Sequence, residues 1–391
     1  FRRREHRRQI VTELGGDQPA WRRAYERAVT AQEQFDRRLK ALGTRALAFC
    51  AERGVTPVVV LGRPYTIYNR VLNSNVPAIL REQGAIAIPV DCYPVAADVP
   101  IFNEMYWGYG QLNLRAAHQI RRTAGTYSLW CSNYACGPDS FTLHFYGYLM
   151  EGKPYAVIET DGHAGDAGTR TRVEAFLHCV REDQGHGDAR ASIPPRNDLV
   201  RIEKDTTTLS EIRSCGERLL IPRMGPTAAV IAACFRGVGI PAESLPVPDR
   251  EALAMGRRHT SGKECVPMAI TIGSLLMRIA AEPDPRARFA FLMPSARGPC
   301  RFGVYNLLDK IVLERLGLAD RVRVWSPRDD NYFEGIPAGV SALMFAGIVA
   351  ADLLQAGLHD VRPLEARPGV AREIYERASR SIPDRWVKMM K

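Results

Sequence analysis

No apolar run in this chain approaches the ~18 residues that a membrane-crossing helix needs; the longest, Ala342 to Ala351, stops at Asp352. Lysine is scarce, with 46 of the 53 basic residues being Arg. No basic stretch is interleaved with aromatics and no zinc-finger spacing occurs, so the net charge of +10 does not read as nucleic-acid binding. An even cysteine count is missing too. Nine cysteines in 391 residues, with ample core-forming side chains, argue against a disulfide framework. A phosphate loop is also lacking. GRRHTSGKE puts five residues between Gly256 and Gly262 instead of four, and Glu264 stands where Ser or Thr would hold magnesium. GYGQLN, from Gly108, is a glycine fragment inside a helical stretch and carries no dinucleotide signal.

What is present is ordinary globular composition, 46% apolar and 25% charged, which excludes wholesale disorder. The expected product is a soluble, cytoplasmic protein or a piece of a larger one; it begins at Phe1 rather than Met, so a missing or processed N-terminus is expected. The first 40 residues hold 11 Arg and Lys against 6 Asp and Glu, beginning FRRREHRR. Such an arm suits an acidic partner or a phosphate-bearing ligand of the CoA type, or is simply a solvated helix face.

Buried-strand runs alternate with helical segments: PVVVL at 57–61, AIAIP at 85–89, YSLW at 127–130, YAVIE at 155–159, then RLLIP, PAESL, FAFLM and a last strand at 321–325. This predicts an α/β fold of two Rossmann-like lobes with mainly parallel sheets. Four segments are expected: an N-terminal helical arm at 1–54, a first α/β lobe at 55–190, a second at 199–360, and a C-terminal helical tail at 361–391. The linker falls at 184–198, QGHGDARASIPPRND. Each lobe carries a cysteine in a Gly/Pro loop straight after a buried strand, which suggests an ancient doubling.

In open α/β sheets ligands sit beyond the carboxyl ends of the strands. Cys136, in CSNYACGPDSF, and Cys300, in SARGPCRFG, occupy that place in the two lobes. Glycine lets a backbone approach a bulky object and proline stiffens the loop. Cys265, in SGKECVP, stands at a helix start with Ser261 as its cap, where the helix end and Lys263 supply positive charge to a ligating thiolate. Three such thiols suit an iron–sulfur cluster with one iron left open, against the plain alternative of three inert buried cysteines. Cys50, Cys179, Cys215 and Cys234 read as packing. Cys131 and Cys92 rank below the first three, although Cys131 could share iron or zinc with Cys136. The segment with Glu159, Asp161, His163 and Asp166 reads as an acid/base or ion-binding loop, or as a polar turn capping the helix at Thr169.

The strings LGRPY, SNYACGPDSF, ETDGHAGDAGTRTRVEAF, GRRHTSGKECVP and MPSARGPCRFGVYN run in one order from about residue 57 to 325. With them the chain resembles the activase-related proteins of the 2-hydroxyacyl-CoA dehydratase and benzoyl-CoA reductase superfamily. The family's recurrent cysteines fall on Cys136, Cys265 and Cys300, whereas Cys92 and Cys131 stand where relatives carry other residues. Gly162 replaces an acidic residue common in the family. The resemblance implies a low-potential iron–sulfur protein, an ATP-dependent reductase or dehydratase-type component. Its cofactor would be a 4Fe–4S cluster or a double-cubane 8Fe–9S cluster, the latter needing three further cysteines from Cys92, Cys131 and another, or from a second chain. Its partner would be an ATP-hydrolysing activator with its own 4Fe–4S cluster, and the assembly a homo- or heterodimer. Asp139, Ser140 and Arg301 are expected beside the cluster as its polar surroundings. The competing expectation is a non-redox, zinc-stabilised scaffold or assembly subunit.

Overall fold

In the computed structural model the described residues are 9, 11–15, 18–134, 136–160, 166–185, 198–204, 206–328 and 335–390. They form an α/β protein of two compact units, each with its own four-stranded, all-parallel sheet. The first unit comprises residues 1–99, 112–134 and 150–195; the second comprises 100–111, 135–149 and 196–391.

The first unit opens with a 36-residue helix, α1 (Gln18–Arg53). Most of its surface is solvated, and only its last turns bury side chains, Cys50 among them. β1 (Thr56–Gly62) follows, then the short helices α2 (Pro64–Ile67) and α3 (Val76–Glu82), and β2 (Ala85–Pro89). Next in the chain come α4 (Gly108–Arg122), which belongs to this unit from residue 112, β3 (Tyr127–Asn133), α5 (Asp139–Met150), which belongs to the second unit up to residue 149, β4 (Tyr155–Thr160) and α6 (Asp166–Gly185). The strand order is β2-β1-β3-β4. Val58, Val59, Leu61, Leu129 and Trp130 are fully enclosed, which is why β1 reads as an unbroken apolar run, while β3 buries its polar Ser128 as well. At the carboxyl end of β1, the buried amide of Asn113 closes the ladder. It accepts from the Gly62 N–H at 3.0 Å and donates to the Gly62 carbonyl at 3.1 Å.

The second unit contains α7 (Leu199–Lys204), α8 (Leu209–Ser214), β5 (Arg218–Ile221), α9 (Thr227–Gly237), β6 (Ala242–Ser244) and α10 (Arg250–Arg257). It continues with α11 (Val266–Ala280), β7 (Phe289–Leu292), α12 (Tyr305–Arg315), β8 (Val322–Trp325), α13 (Ala338–Val361) and α14 (Val370–Met390). α8 starts in a capping box: Thr208 accepts from the Glu211 N–H while the Glu211 side chain accepts from the Thr208 N–H. The strand order β6-β5-β7-β8 repeats that of the first sheet. Cys136 and Cys300 therefore follow topologically equivalent strands, the third of each sheet, which supports the expected doubling. The C-terminal segment packs on this unit, with the Trp386 indole donating to the Leu343 carbonyl at 2.9 Å.

Three expectations are corrected. β3 runs on to Asn133, so Cys131 lies inside the strand, opposite Gly62 and Ile158, and not in the loop. Cys179 and Cys215 are exposed rather than packed, whereas Cys50 and Cys234 are buried as read. The stretch from 338 to 364 is long and apolar enough to cross a membrane by length and composition, with mean hydropathy 1.6 over 18 residues and 17% of that window buried. A single Asp352 does not interrupt a helix, so the apolar run is longer than an uninterrupted-run reading allows. Met344, Gly347 and Ala351 face the core of the unit while Phe345, Val349 and Leu353 are exposed.

Candidate functional site

All three expected thiol ligands belong to the second unit. Cys136 stands in the turn into α5 and is half-buried. Its carbonyl accepts from the Ser140 N–H at 3.2 Å, and the Ser140 hydroxyl donates back to the Gly137 carbonyl at 2.6 Å. Pro138 satisfies two more of the helix's first N–H groups through its carbonyl, those of Phe141 and Thr142. Cys265, also half-buried, is the N-cap of α11, with a proline in the first turn. That corrects the expected helix start: Ser261 lies in a separate turn closed by Glu264, which accepts from the Ser261 N–H at 2.8 Å and the Gly262 N–H at 2.9 Å. Cys300 is exposed and precedes a 3-10 turn, Arg301–Val304, that leads into α12.

Long side chains join these three loops. The Arg301 guanidinium donates to the Ser140 hydroxyl at 2.8 Å and lies 3.5 Å from the Lys263 carbonyl. One residue beside Cys300 thus touches both the Cys136 turn and the segment before Cys265. Tyr305, 3% exposed, hydrogen-bonds Cys265 and stacks on Phe141 of α5, ring centroids 5.4 Å apart. Burial first, then Cys265 and Cys300, push its phenol far above the ordinary range. Tyr106 donates to the Cys300 carbonyl at 2.6 Å, and burial with the nearby Cys300 raises its phenol to about 12. Both phenols are therefore permanent donors at any physiological pH.

Gly303 is where the Cys300 loop closes most tightly. A Cβ there would come within 2.0 Å of the Ala296 carbonyl oxygen, so no larger residue fits without moving the loop.

Sequence reasoning placed Asp139, Ser140 and Arg301 near the thiols, and all three lie in this region, Asp139 and Ser140 buried in the first turn of α5. It missed the pair of His144 and Glu264. The two side chains hydrogen-bond directly and are 15% and 2% exposed. Burial pushes the Glu264 carboxyl up, but hydrogen bonds from His144 and the Ser261 N–H outweigh it and hold the group down at about 2. The usable signal was Ser261 three residues before Glu264, which reads as a self-capping turn. Its bond to His144, 120 residues away, leaves no local trace.

The secondary thiols are less suited to ligation. Cys131 is fully enclosed and burial pushes its thiol up to about 12; Cys92 is buried beyond β2 and its thiol is likewise raised by burial. Ligation needs a thiolate. Among the described residues no group of three or more His, Cys, Asp or Glu could hold a single metal ion. A cubane spreads its ligands over separate irons, so that observation bears on zinc and other lone ions rather than on a cluster. Of the acidic-His segment, residues 161–165, with Asp161 and His163, lie outside the described residues, as does the side chain of Asp166. The centre of the expected linker, 186–197, and the first eight residues also lie outside them.

Residues 2–93 match the family model described as CoA enzyme activase uncharacterised domain (DUF2229). The matched stretch takes in α1, β1, α2, α3 and β2 and covers roughly a quarter of the chain, all of it in the first unit. It contains LGRPY; the cysteine loops lie outside it. No curated protein matches the chain. The comparison therefore likens residues 2–93, and no other part of the chain, to a domain described from CoA enzyme activases.

Proposed function

We propose that the chain is an iron–sulfur component of an electron-transfer or reductase system, with Cys136, Cys265 and Cys300 as the cluster's thiolate ligands. The observation that carries this is the tying of three thiol-bearing loops by Arg301, Ser140 and Tyr305 within one unit. The donor set fits: three sulfurs from stiff, Gly/Pro-flanked loops, with a guanidinium at hand to offset the negative charge of thiolates and cluster. Three ligands suffice for one 4Fe–4S cubane with one iron open. The place of Cys131 inside β3, rather than in a loop, supports that single cubane over an 8Fe–9S double cubane built from this chain alone. When bound, such a cluster supplies electrons one at a time at low potential. The chain's own residues do the rest. Ser140 and Arg301 hold the loops in register, Asp139 adds a buried acidic side chain in the first turn of α5, and Tyr305 stays protonated against Cys265.

The partner in this reading is an ATP-hydrolysing activator with its own cluster, in the cytoplasm, and the activase description of residues 2–93 supports a place in such a system. Cys300, the exposed ligand, marks the side open to that partner and to a small or CoA-linked substrate. The same description also favours a second reading, a non-redox assembly subunit. Its zinc-stabilised form needs Cys131 as a ligand, and Cys131 lies fully enclosed inside β3.

Anaerobic purification and cluster reconstitution, followed by iron, sulfide and zinc analysis, test the proposal. Bound iron and sulfide with broad absorbance near about 400 nm are expected for a cubane. A colourless, iron-free protein overturns it, and stoichiometric zinc selects the scaffold.

A further inference from the structure

Beyond the carboxyl ends of β7 and β8 the second unit has a cavity of about 110 Å3 lined by Asn103, Glu104, Tyr106, Ser295, Arg297 and Arg328. The strand pairing continues past both strands, the Met293 N–H donating to the Trp325 carbonyl at 2.9 Å and the Ser295 N–H to the Pro327 carbonyl at 3.0 Å. That extension sets Ser295 and Arg328 side by side at the place where α/β sheets receive ligands. The cavity is as large as about four waters at roughly 30 Å3 each, enough for one small charged group and its first carbons.

Its charges are unequal. Glu104, 8% exposed, is spent on its neighbours: one oxygen accepts from the Ser295 hydroxyl at 2.5 Å and the other pairs with Arg328 at 3.2 Å. Glu203 is committed too, its carboxylate accepting the N–H groups of Asn103 and Glu104 at 2.9 and 3.0 Å. Arg297 has no partner among the described residues and stands exposed at the rim. Among the described lining residues Glu104 pairs with Arg328, which leaves the Arg297 guanidinium, whose planar fork suits an oxyanion. Tyr106, which lines the same cavity, reaches the Cys300 carbonyl at 2.6 Å, so the pocket adjoins the loop of the exposed thiol.

We infer that this cavity binds an oxyanion, a carboxylate or a phosphate, with Arg297 as its principal anchor and Asn103 as polar flank. As a bare binding site it stands alone; as the pocket that anchors the acidic end of a substrate beside Cys300 it rests on the reductase reading. The two anion sources differ in what they imply. A carboxylate would be the substrate's own acid group, and a phosphate would belong to a carrier such as a nucleotide-containing thioester.

Titration calorimetry of the full chain with acetate and with inorganic phosphate tests it, without need of iron. Saturable binding at one site is expected, weakened about tenfold or more in Arg297→Gln, a loss of about 1.4 kcal/mol. Arg297 is exposed and unpaired, so the variant should melt at the wild-type temperature. Tighter acetate selects the substrate acid and tighter phosphate the carrier. No saturable binding by either, or equal binding in Arg297→Gln, overturns the inference. Because the readout ignores the cluster, a negative result leaves the iron assay standing, and an iron-free protein leaves this pocket standing.

Discussion

Asp309 sits in the middle of α12 with no exposed surface, and neither carboxyl oxygen has a hydrogen-bond partner. Burial raises its carboxyl well above the ordinary range, so the folded protein holds it protonated. Stability from this group is present at low pH and is lost as pH rises. Asp309→Asn keeps the shape, cannot ionise, and offers an amide to the unpartnered Asn306 Oδ1 one turn away. At about pH 8 its melting temperature should equal or exceed that of the wild type; a fall of several degrees contradicts the assignment. Glu203 gives a second pH test. Burial pushes it up to about 7 from its ordinary 4.5, Glu104's charge adding and the two N–H donors opposing. A raised carboxyl stabilises fully below its unfolded pKa and loses that contribution as pH rises through the folded one. Stability should therefore fall between about pH 4.5 and 7, by on the order of 3 kcal/mol at about 1.36 per unit. In Glu203→Gln that slope should flatten, as denaturant unfolding at several pH values would show; an unchanged slope means that another group titrates there.

At the scale of elements, α10 and α11 approach so closely that a Cβ on Gly273 would lie 1.8 Å from the Ala252 carbonyl oxygen. Gly273→Ala should force the helices apart and cost about 1–3 kcal/mol or more in unfolding experiments. Since α11 begins at Cys265, the same variant should also hold less iron after reconstitution. Wild-type stability in Gly273→Ala would show that the contact gives way. The strands were legible because the central strands are buried on both faces, turning the middle of β1 and all of β7 into short unbroken apolar runs. The start of α11 was misread because Ser261 and Glu264 imitate a helix cap while capping only each other's turn. Cys131 was placed in a loop because β3 continues through polar Ser132 and Asn133, which carry no apolar signal. Contacts such as Arg301 with Ser140, 161 residues apart, cannot be read from periodicity at all. Residue type and loop chemistry could bring those residues into one neighbourhood, but not pair them.

For the whole molecule, the twin sheet orders and the equivalent positions of Cys136 and Cys300 describe a doubled α/β chain in which only the second unit holds the thiol loops. The activase-type match lies instead in residues 2–93 of the first unit, apart from those loops. The most direct test compares iron in two purified variants after anaerobic reconstitution. Cys234 is buried in α9 with its thiol raised by burial to about 11, so Cys234→Ser should keep the wild-type iron, about 4 per chain for one cubane, at a modest cost in stability. Cys136→Ser should lose most of it, because a serine hydroxyl is a poor, usually protonated ligand. Iron retained in Cys136→Ser and lost in Cys234→Ser would contradict the ligand assignment.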